Sequence, residues 1–292
     1  MITTFIIGGL GNQLFQIFTV ISYAYQHNID FRFLNKQVLF GCNNIRYTYW
    51  DNFLIELKEY LYDEETYIEI NNKSQFIILN ENGFHYKKIP LIENENIKLQ
   101  GYYQSYKYFE NYKDKIFDFI QLKNKKLKIK NTFYDFDFDN SISIHFRLGD
   151  YKKFPTIHPI STFKYYLNSF KYILEKRYSN YNKKISIIYF HENTDNEDII
   201  NVNNLINNLI NNLNDIRIIF FEVPKYLSDW EELLLMSLCR DNIIPNSTFS
   251  WWGAYLNDYE DKIVTYPDIW FGIDCTNDTK DLFHPSWKCI KC

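Results

Sequence analysis

Two hydrophobic rhythms alternate along this chain. Short apolar, β-branched runs read as buried strands, and longer stretches with apolar residues at every third or fourth position read as helices. Ile2 to Ile7 reads as a strand, Gly8 to Gly11 as a turn and Asn12 to Gln26 as a helix. Phe31-Arg32-Phe33-Leu34 supplies the next strand, so the chain opens with a βαβ unit. Residues 43–115 are irregular and aromatic, with a short amphipathic piece around Asn52 to Tyr60. A polar, charged stretch from Lys123 to Asn140 marks a domain boundary and predicts domains over residues 1–138 and 139–292.

The alternation then resumes. Strand Ile142 to Phe146 precedes a helix from Ser161 to Tyr178, with Ser161 as its N-cap. Strand Lys184 to Phe190, helix Val202 to Leu213 and strand Ile216 to Phe221 follow. The remainder reads as helix Asp229 to Cys239, strand Asn242 to Ile244, helix Phe249 to Leu256 and strand Lys262 to Thr265. Strands alternating with helices predict a parallel sheet with helices on both faces. The expected fold class is α/β, in two such units with a cleft between them.

Composition narrows the function classes. The 292 residues are 46% hydrophobic and 23% charged, which is globular rather than disordered. A net charge of −4 and a pI near 5.9 argue against a nucleic-acid partner, which calls for a basic patch. Lys123 to Lys130 is basic but alternates with Leu and Ile, as a solvated face does. The apolar opening, Met1 to Leu10, lacks a basic leader and is far shorter than the roughly 20 residues of a membrane span. With five cysteines, an odd number, this predicts reduced thiols and a cytoplasmic setting. Cys289-Ile290-Lys291-Cys292 has metal-ligand spacing, but no second pair completes a site, and it reads as a frayed tail.

Three stretches carry candidate chemistry. Ser143-Ile144-His145-Phe146-Arg147-Leu148-Gly149-Asp150-Tyr151 delivers His145 and Arg147 to one face at a strand's end, where ligands of open α/β sheets bind. An Arg there suits a phosphate, whose oxygens its planar fork matches; a plain strand-end ion pair between Arg147 and Asp150 is the alternative. Gly9-Leu10-Gly11-Asn12-Gln13, between strand and helix, resembles half of a dinucleotide fingerprint, with Asp30 at a plausible distance for a ribose-binding acid. Leu14 replaces its third glycine, which weakens a nicotinamide reading, and the polar pair Asn12-Gln13 is placed to face a cleft. Asn246-Ser247-Thr248-Phe249-Ser250 enters an aromatic helix and offers hydroxyls and backbone N–H groups to a phosphate, or simply caps the helix. Trp251-Trp252 reads as core. Asp135, Asp137 and Asp139 have the look of a divalent-ion site but lie in the polar approach to a strand.

Together these stretches resemble the inverting α-1,2-fucosyltransferases, in the family's order and over nearly the whole chain. The matches are Gly8 to Gln16, His145-x-Arg147-x-Gly149-Asp150-Tyr151, and Asn246 to Ala254, with Lys262 to Pro267 and Trp270-Phe271 similar to the closing segment. The resemblance implies a GT-B-like fold of two Rossmann-like domains, the first on the acceptor side and the second holding the nucleotide sugar. It implies GDP-β-L-fucose as donor, a glycan acceptor attacked at a galactose 2-hydroxyl, no cofactor and no required metal. Arg147 would then neutralise the leaving diphosphate, His145 would lie by the nucleotide, and Asn12 would face the reaction centre. Gly9, Gly11, Asn246, Ser247 and Thr248 would lie around the donor, and Glu232 would stand where the family carries an acid that accepts from guanine. Asp150 is the nearest candidate base, or an orienting partner of Arg147 or His145. Leu148 departs from the family, many of whose members carry a second Arg there, so another nucleotide-deoxysugar donor remains open. So do a nicotinamide-dependent oxidoreductase and a non-catalytic glycan-binding protein. Tyr47, Tyr49, Trp50, Tyr102 and Tyr103 offer either sugar-stacking faces or core.

Overall fold

Strand β1 (Ile2–Thr4) is buried along its length and leads through a glycine turn into α1 (Leu10–His27). The structure is a computed structural model that describes residues 1–41, 44–73, 75–93, 95–179, 184–192 and 196–292. The apolar spacing that predicts α1 buries Leu14, Phe15, Ile17, Phe18 and Ile21 completely, and Asn28 in the left-handed region closes the helix with its N–H on the Ala24 carbonyl. Short elements follow: β2 (Phe33–Leu34), β3 (Val38–Gly41), β4 (Asn44–Tyr47), β5 (Leu61–Tyr62), α2 (Glu64–Lys73), β6 (Ile77–Asn80), β7 (Ile97–Gln100) and α3 (Lys113–Phe119). The expected βαβ opening forms in reduced form. Phe31 makes a single parallel bridge to Ile2, β2 pairs with β5, and β1 takes β7 and then β6 as its sheet partners.

The chain packs as two units, residues 1–125 with 277–284, and residues 126–276 with 285–292. Sequence polarity points to a division at 138/139, whereas packing divides the chain within α4 (Leu122–Thr132). The physical reason is Lys126. Its side chain is buried, donates to the Leu256 carbonyl at 2.8 Å and pairs with Asp258, so a stretch that reads as solvated is partly anchored in the second unit. Residues 277–284 return to the first unit, where the Asp281 carboxylate pairs with Lys107 at 2.5 Å and its carbonyl accepts from Ser105 Oγ at 2.6 Å.

The second unit continues with β8 (Ser141–Phe146), α5 (Phe163–Arg177), β9 (Ile185–His191), α6 (Asn196–Leu213) and β10 (Ile218–Glu222). It ends with α7 (Asp229–Leu238), β11 (Asp241–Ile243), α8 (Thr248–Tyr255), β12 (Val264–Pro267) and β13 (Lys288–Ile290). Its six strands are all parallel, in the order β10-β9-β8-β11-β12-β13. Numbered within the unit this is 3-2-1-4-5-6, the doubly wound arrangement, and central β8 is buried at every position as that topology requires. Three details differ from expectation. The cap of α5 is Thr162, whose side chain accepts from the Tyr165 N–H, and α6 begins at Asn196, ahead of its first apolar residue. The Cys289–Cys292 tail is no frayed end: Cys289 lies opposite Tyr266 in the β12–β13 ladder and Ile290 is buried. Trp251 and Trp252 are core. Among the described residues no helix is long and apolar enough to cross a membrane.

Candidate active site

The order of the second sheet reverses between β8 and β11, and it is at such a switch point, beyond the carboxyl ends, that ligands of doubly wound sheets bind. Two of the three sequence motifs leave the sheet there. At the end of β8 the alternation sends Ile144, Phe146 and Leu148 into the core, while His145 and Arg147 take the other face. Gly149 (φ +40°) turns the chain into a 3₁₀ turn carrying Asp150 and Tyr151. Arg147 Nη2 pairs with Asp150 at 2.6 Å and Nη1 pairs with Glu192, with the guanidinium 4.7 Å from the Tyr151 ring centre. Its Nε is buried and has no partner among the described residues.

His145 is buried against Phe249, ring centres 5.6 Å apart. Burial first, then the neighbouring Arg147 and His191, pushes its imidazole down to about 3. It is therefore a neutral group, and its buried Nδ1 has no partner among the described residues.

At the end of β11, Asn246 is a tie. Its Nδ2 donates to the Pro159 carbonyl at 2.8 Å and the Trp270 carbonyl at 3.1 Å, leaving Oδ1 buried without a partner among the described residues. Ser247 is the extended N-cap of α8, yet its side chain makes no capping hydrogen bond, and Thr248 opens the helix. The side-chain capping expected there as an alternative to a ligand is thus not made by Ser247. Tyr151 joins the two motifs by donating from its hydroxyl to the Asn246 carbonyl at 2.9 Å, with its ring stacked on His158. Burial pushes that phenol up to about 12, so it stays a donor.

Beside this lies a cavity of about 280 Å³ at the carboxyl ends of β9 and β10, lined by His191, Glu192, Glu222, Val223, Lys225 and Glu232. Burial, with Asp229 and Glu192 nearby, lifts the Glu232 carboxyl to about 7. His191 meets Glu222 at 3.2 Å through Nε2, and its buried Nδ1 has no partner among the described residues. Glu192 lines the cavity and also holds Arg147, which couples Glu232 to the strand-end cluster. Sequence reasoning passes over Glu192 and Glu222. One signal exists for Glu192: it follows the second strand of the unit, where a Rossmann-type sheet carries its ribose-binding acid. Asp30, considered for that role, is exposed in the first unit.

The first unit holds Gly9, Gly11 and Asn12 on their own turn. Gly8 has φ +85°, and a Cβ there would lie 2.6 Å from Asn12 Nδ2. Gly9 is the N-cap of α1 and faces open space, Gly11 is buried, and Asn12 Oδ1 accepts from Gln104 Nε2 at 3.0 Å. Of the pair Asn12-Gln13, only Asn12 is partly exposed; Gln13 is fully buried and donates to the Gly8 and Tyr47 carbonyls at 3.0 and 2.9 Å. Gln16 clamps both the N–H and the carbonyl of Ile7 at 3.0 and 2.9 Å. Both glutamines fix the turn from inside, a role that an amide within a helical pattern does not advertise. Asp137 and Asp139 are occupied locally, accepting from Asn140 Nδ2 at 2.6 Å and the Tyr259 hydroxyl at 2.5 Å. Among the described residues no three His, Cys, Asp or Glu side chains gather as a metal-ligand set.

Known proteins are similar to this chain in sequence or in fold. An α-1,2-colitosyltransferase of Escherichia coli is 28% identical over 276 residues, covering 90% of each chain. The O-antigen biosynthesis glycosyltransferase WbnK of Escherichia coli is 26% identical over 323 residues, covering 96% of this chain and 97% of that one. Among solved structures, the ADP-heptose LPS heptosyltransferase II of Escherichia coli matches 99% of this chain and 89% of its own, with TM-score 0.50 at 11% identity. That likeness speaks to the fold, which is GT-B-like. The sequence model of glycosyl transferase family 11 matches residues 1–291. The strand-end arginine, the serine turn and the glycine turn all lie within that match, and the chain belongs to glycosyl transferase family 11.

Proposed function

We propose that the chain is an inverting, metal-independent α-1,2-fucosyltransferase, moving L-fucose from GDP-β-L-fucose to the 2-hydroxyl of a galactoside. The observation that carries this reading is Arg147 beside an uncapped serine turn at the switch point of a doubly wound sheet. Breaking the sugar–phosphate bond leaves an oxocarbenium-like sugar and a diphosphate anion. Arg147 and the first N–H groups of α8 stabilise that anion as it forms, where fixed donors accelerate most. The buried Nε–H of Arg147 is the donor left for a phosphate oxygen. Glu192 and Asp150 outnumber the guanidinium charge, so an arriving diphosphate exchanges with a carboxylate. Glu192, on the cavity wall, is the one free to turn to the ribose hydroxyls. Neutral His145 lies by the nucleotide, and Glu232 accepts from guanine. Asp150, held at 2.6 Å by Arg147, serves as a positioning residue more readily than as the base that receives the acceptor proton. Asn12 is the residue of the first unit whose loss should lower turnover.

A second donor deserves the same assay, because a relative is named a colitosyltransferase. Colitose is L-fucose without its 3-hydroxyl, and a site that hydrogen-bonds that hydroxyl rejects the deoxy sugar strongly. The test is nucleotide release from GDP-fucose, GDP-colitose, and UDP- and dTDP-sugars, with EDTA and mixed β-galactosides present. Acceptor-dependent release from GDP-fucose alone supports the reading. Release from GDP-colitose alone moves the donor and keeps the site. Dependence on added divalent ion removes the metal-independent mechanism, and release from no donor removes the transferase assignment of donor and acceptor altogether.

A further inference from the structure

The first unit contains a second cavity, of about 420 Å³, that the chemistry above leaves unused. It sits at the carboxyl ends of β2 and β5, which pair in parallel with Leu34 opposite Tyr62; Asn35 and Asp63 are the next residues of each strand. The chain just before β2 runs parallel to β1 through the Ile2–Phe31 bridge, so the glycine turn leaves from the same edge. That edge is where open α/β sheets take ligands. Hydrogen bonds join the two places. Gln13 reaches from the glycine turn to the Tyr47 carbonyl, and Thr48 bonds the Lys36 carbonyl through Oγ1 at 2.6 Å and the Gln37 carbonyl through N–H at 3.1 Å.

The lining has the chemistry of sugar recognition. Asn35 and Gln37 supply amide donors and acceptors, and Asp51 and Asp63 supply carboxylates, Asp63 keeping Oδ2 for a ligand while its Oδ1 accepts from the Thr66 N–H at 2.7 Å. Lys58 also lines the cavity but is paired with Asp51 at 2.6 Å. Two carboxylates against one ammonium leave an excess of negative charge, which disfavours an acidic sugar. Trp50, fully buried and stacked on Phe33, offers no open ring face. Its Nε1–H has no acceptor among the described residues, although a buried indole N–H normally finds one.

We propose that this cavity is the subsite for a neutral pyranose of the acceptor glycan, with Asn35, Gln37, Asp51 and Asp63 meeting its hydroxyls and the Trp50 indole N–H donating to one of them, an assignment that rests on the transferase reading above. The test titrates the ¹⁵N-labelled full chain with methyl β-D-galactopyranoside, methyl β-D-glucopyranoside and methyl β-D-glucuronide. It follows the Trp50 indole signal, assigned with Trp50→Phe. A neutral glycoside should move that signal and the glucuronide should not. The exposed pair Asn35→Ala/Gln37→Ala should weaken binding and raise acceptor KM about tenfold, leaving acceptor-independent GDP release unchanged. No shift with either neutral glycoside at about 50 mM, well above millimolar affinity, overturns the subsite. So does an unchanged acceptor KM in the double variant. Failure of the transferase reading shows separately, as absence of acceptor-dependent nucleotide release while the Trp50 signal still responds to sugar.

Discussion

Two arginines of the second unit stand between pairs of carboxylates, one at each end of the same sheet. Arg177, at the close of α5, meets Asp241 through Nε and Nη2 at 2.8 and 3.0 Å and Asp261 through Nη1 at 2.9 Å, and Nη2 also reaches the Asp261 carbonyl. Arg147, beyond the end of β8, meets Asp150 and Glu192 and leaves Nε buried and unpartnered among the described residues. Their side chains are 17% and 13% exposed, so burial does not distinguish them. Saturation does. A filled fork locks β11 to α5, whereas the other fork keeps one buried N–H donor unspent, and one of its carboxylate partners, Glu192, lines a cavity. The partners differ too: Asp241 is fully buried, while Asp150 and Glu192 are 29% and 36% exposed and can be rehydrated or exchanged.

Substitution should separate the two. Arg177→Ala strands the Asp241 carboxylate in the interior and should cost about 3–5 kcal/mol of stability, read from denaturant midpoints, with kcat of the folded fraction retained. Arg147→Ala should do the reverse, costing about 3–4 kcal/mol of transition-state stabilisation, a hundred- to thousandfold loss of kcat/KM, with a small shift in Tm. Equal effects of both variants on stability and on turnover would dissolve the distinction.

A smaller effect carries the comparison into the first unit, where neutral amides do the fixing. Gln16→Ala removes two part-buried hydrogen bonds to Ile7 and should lower stability by about 2 kcal/mol, with the turnover of correctly folded protein changed less than by Arg147→Ala. Calorimetry beside active-site titration checks it.

Glu232 gives the smallest and most specific signal. Burial lifts its carboxyl to about 7, and in the proposed guanine contact only the ionised form offers both oxygens as acceptors to guanine N–H groups. GDP affinity should therefore rise about tenfold from about pH 6 to about pH 8. For the ligand-free protein the sign is opposite. A carboxyl whose pKa is raised in the folded state contributes stability below its ordinary value of about 4.3, and loses it as pH rises through about 7. In Glu232→Gln both slopes should vanish, as pH-dependent calorimetry would show.

The same physics explains what the sequence makes legible. β8 and the entry to α8 are plain because a fully buried run ends abruptly in His, Arg and Asp, or in Asn, Ser and Thr. The α/β class follows from the alternating periodicities, and its GT-B-like form from the resemblance that the motifs carry. β13 is hidden because a three-residue edge strand has no period of its own and exists through pairing with β12. The start of α6 is hidden because Asn196, Glu197 and Asp198 precede the apolar spacing. Glu192 and Arg177 escape for a different reason. Their partners lie 45 and 64 residues away, and only the fold brings those charges together. Lys126 reads as solvated and lies buried because a carbonyl and a carboxylate of the second unit receive it.

In the proposed function Arg147 receives the diphosphate of a guanine nucleotide. Calorimetric titration of GDP, GMP and guanosine into the wild type, Arg147→Ala and Arg177→Ala tests it most directly. GDP should bind most tightly, Arg147→Ala should erase most of its advantage over GMP, and the folded fraction of Arg177→Ala should keep it. An undiminished preference for GDP in Arg147→Ala, or equal binding of all three ligands by the wild type, would rule out that role for Arg147.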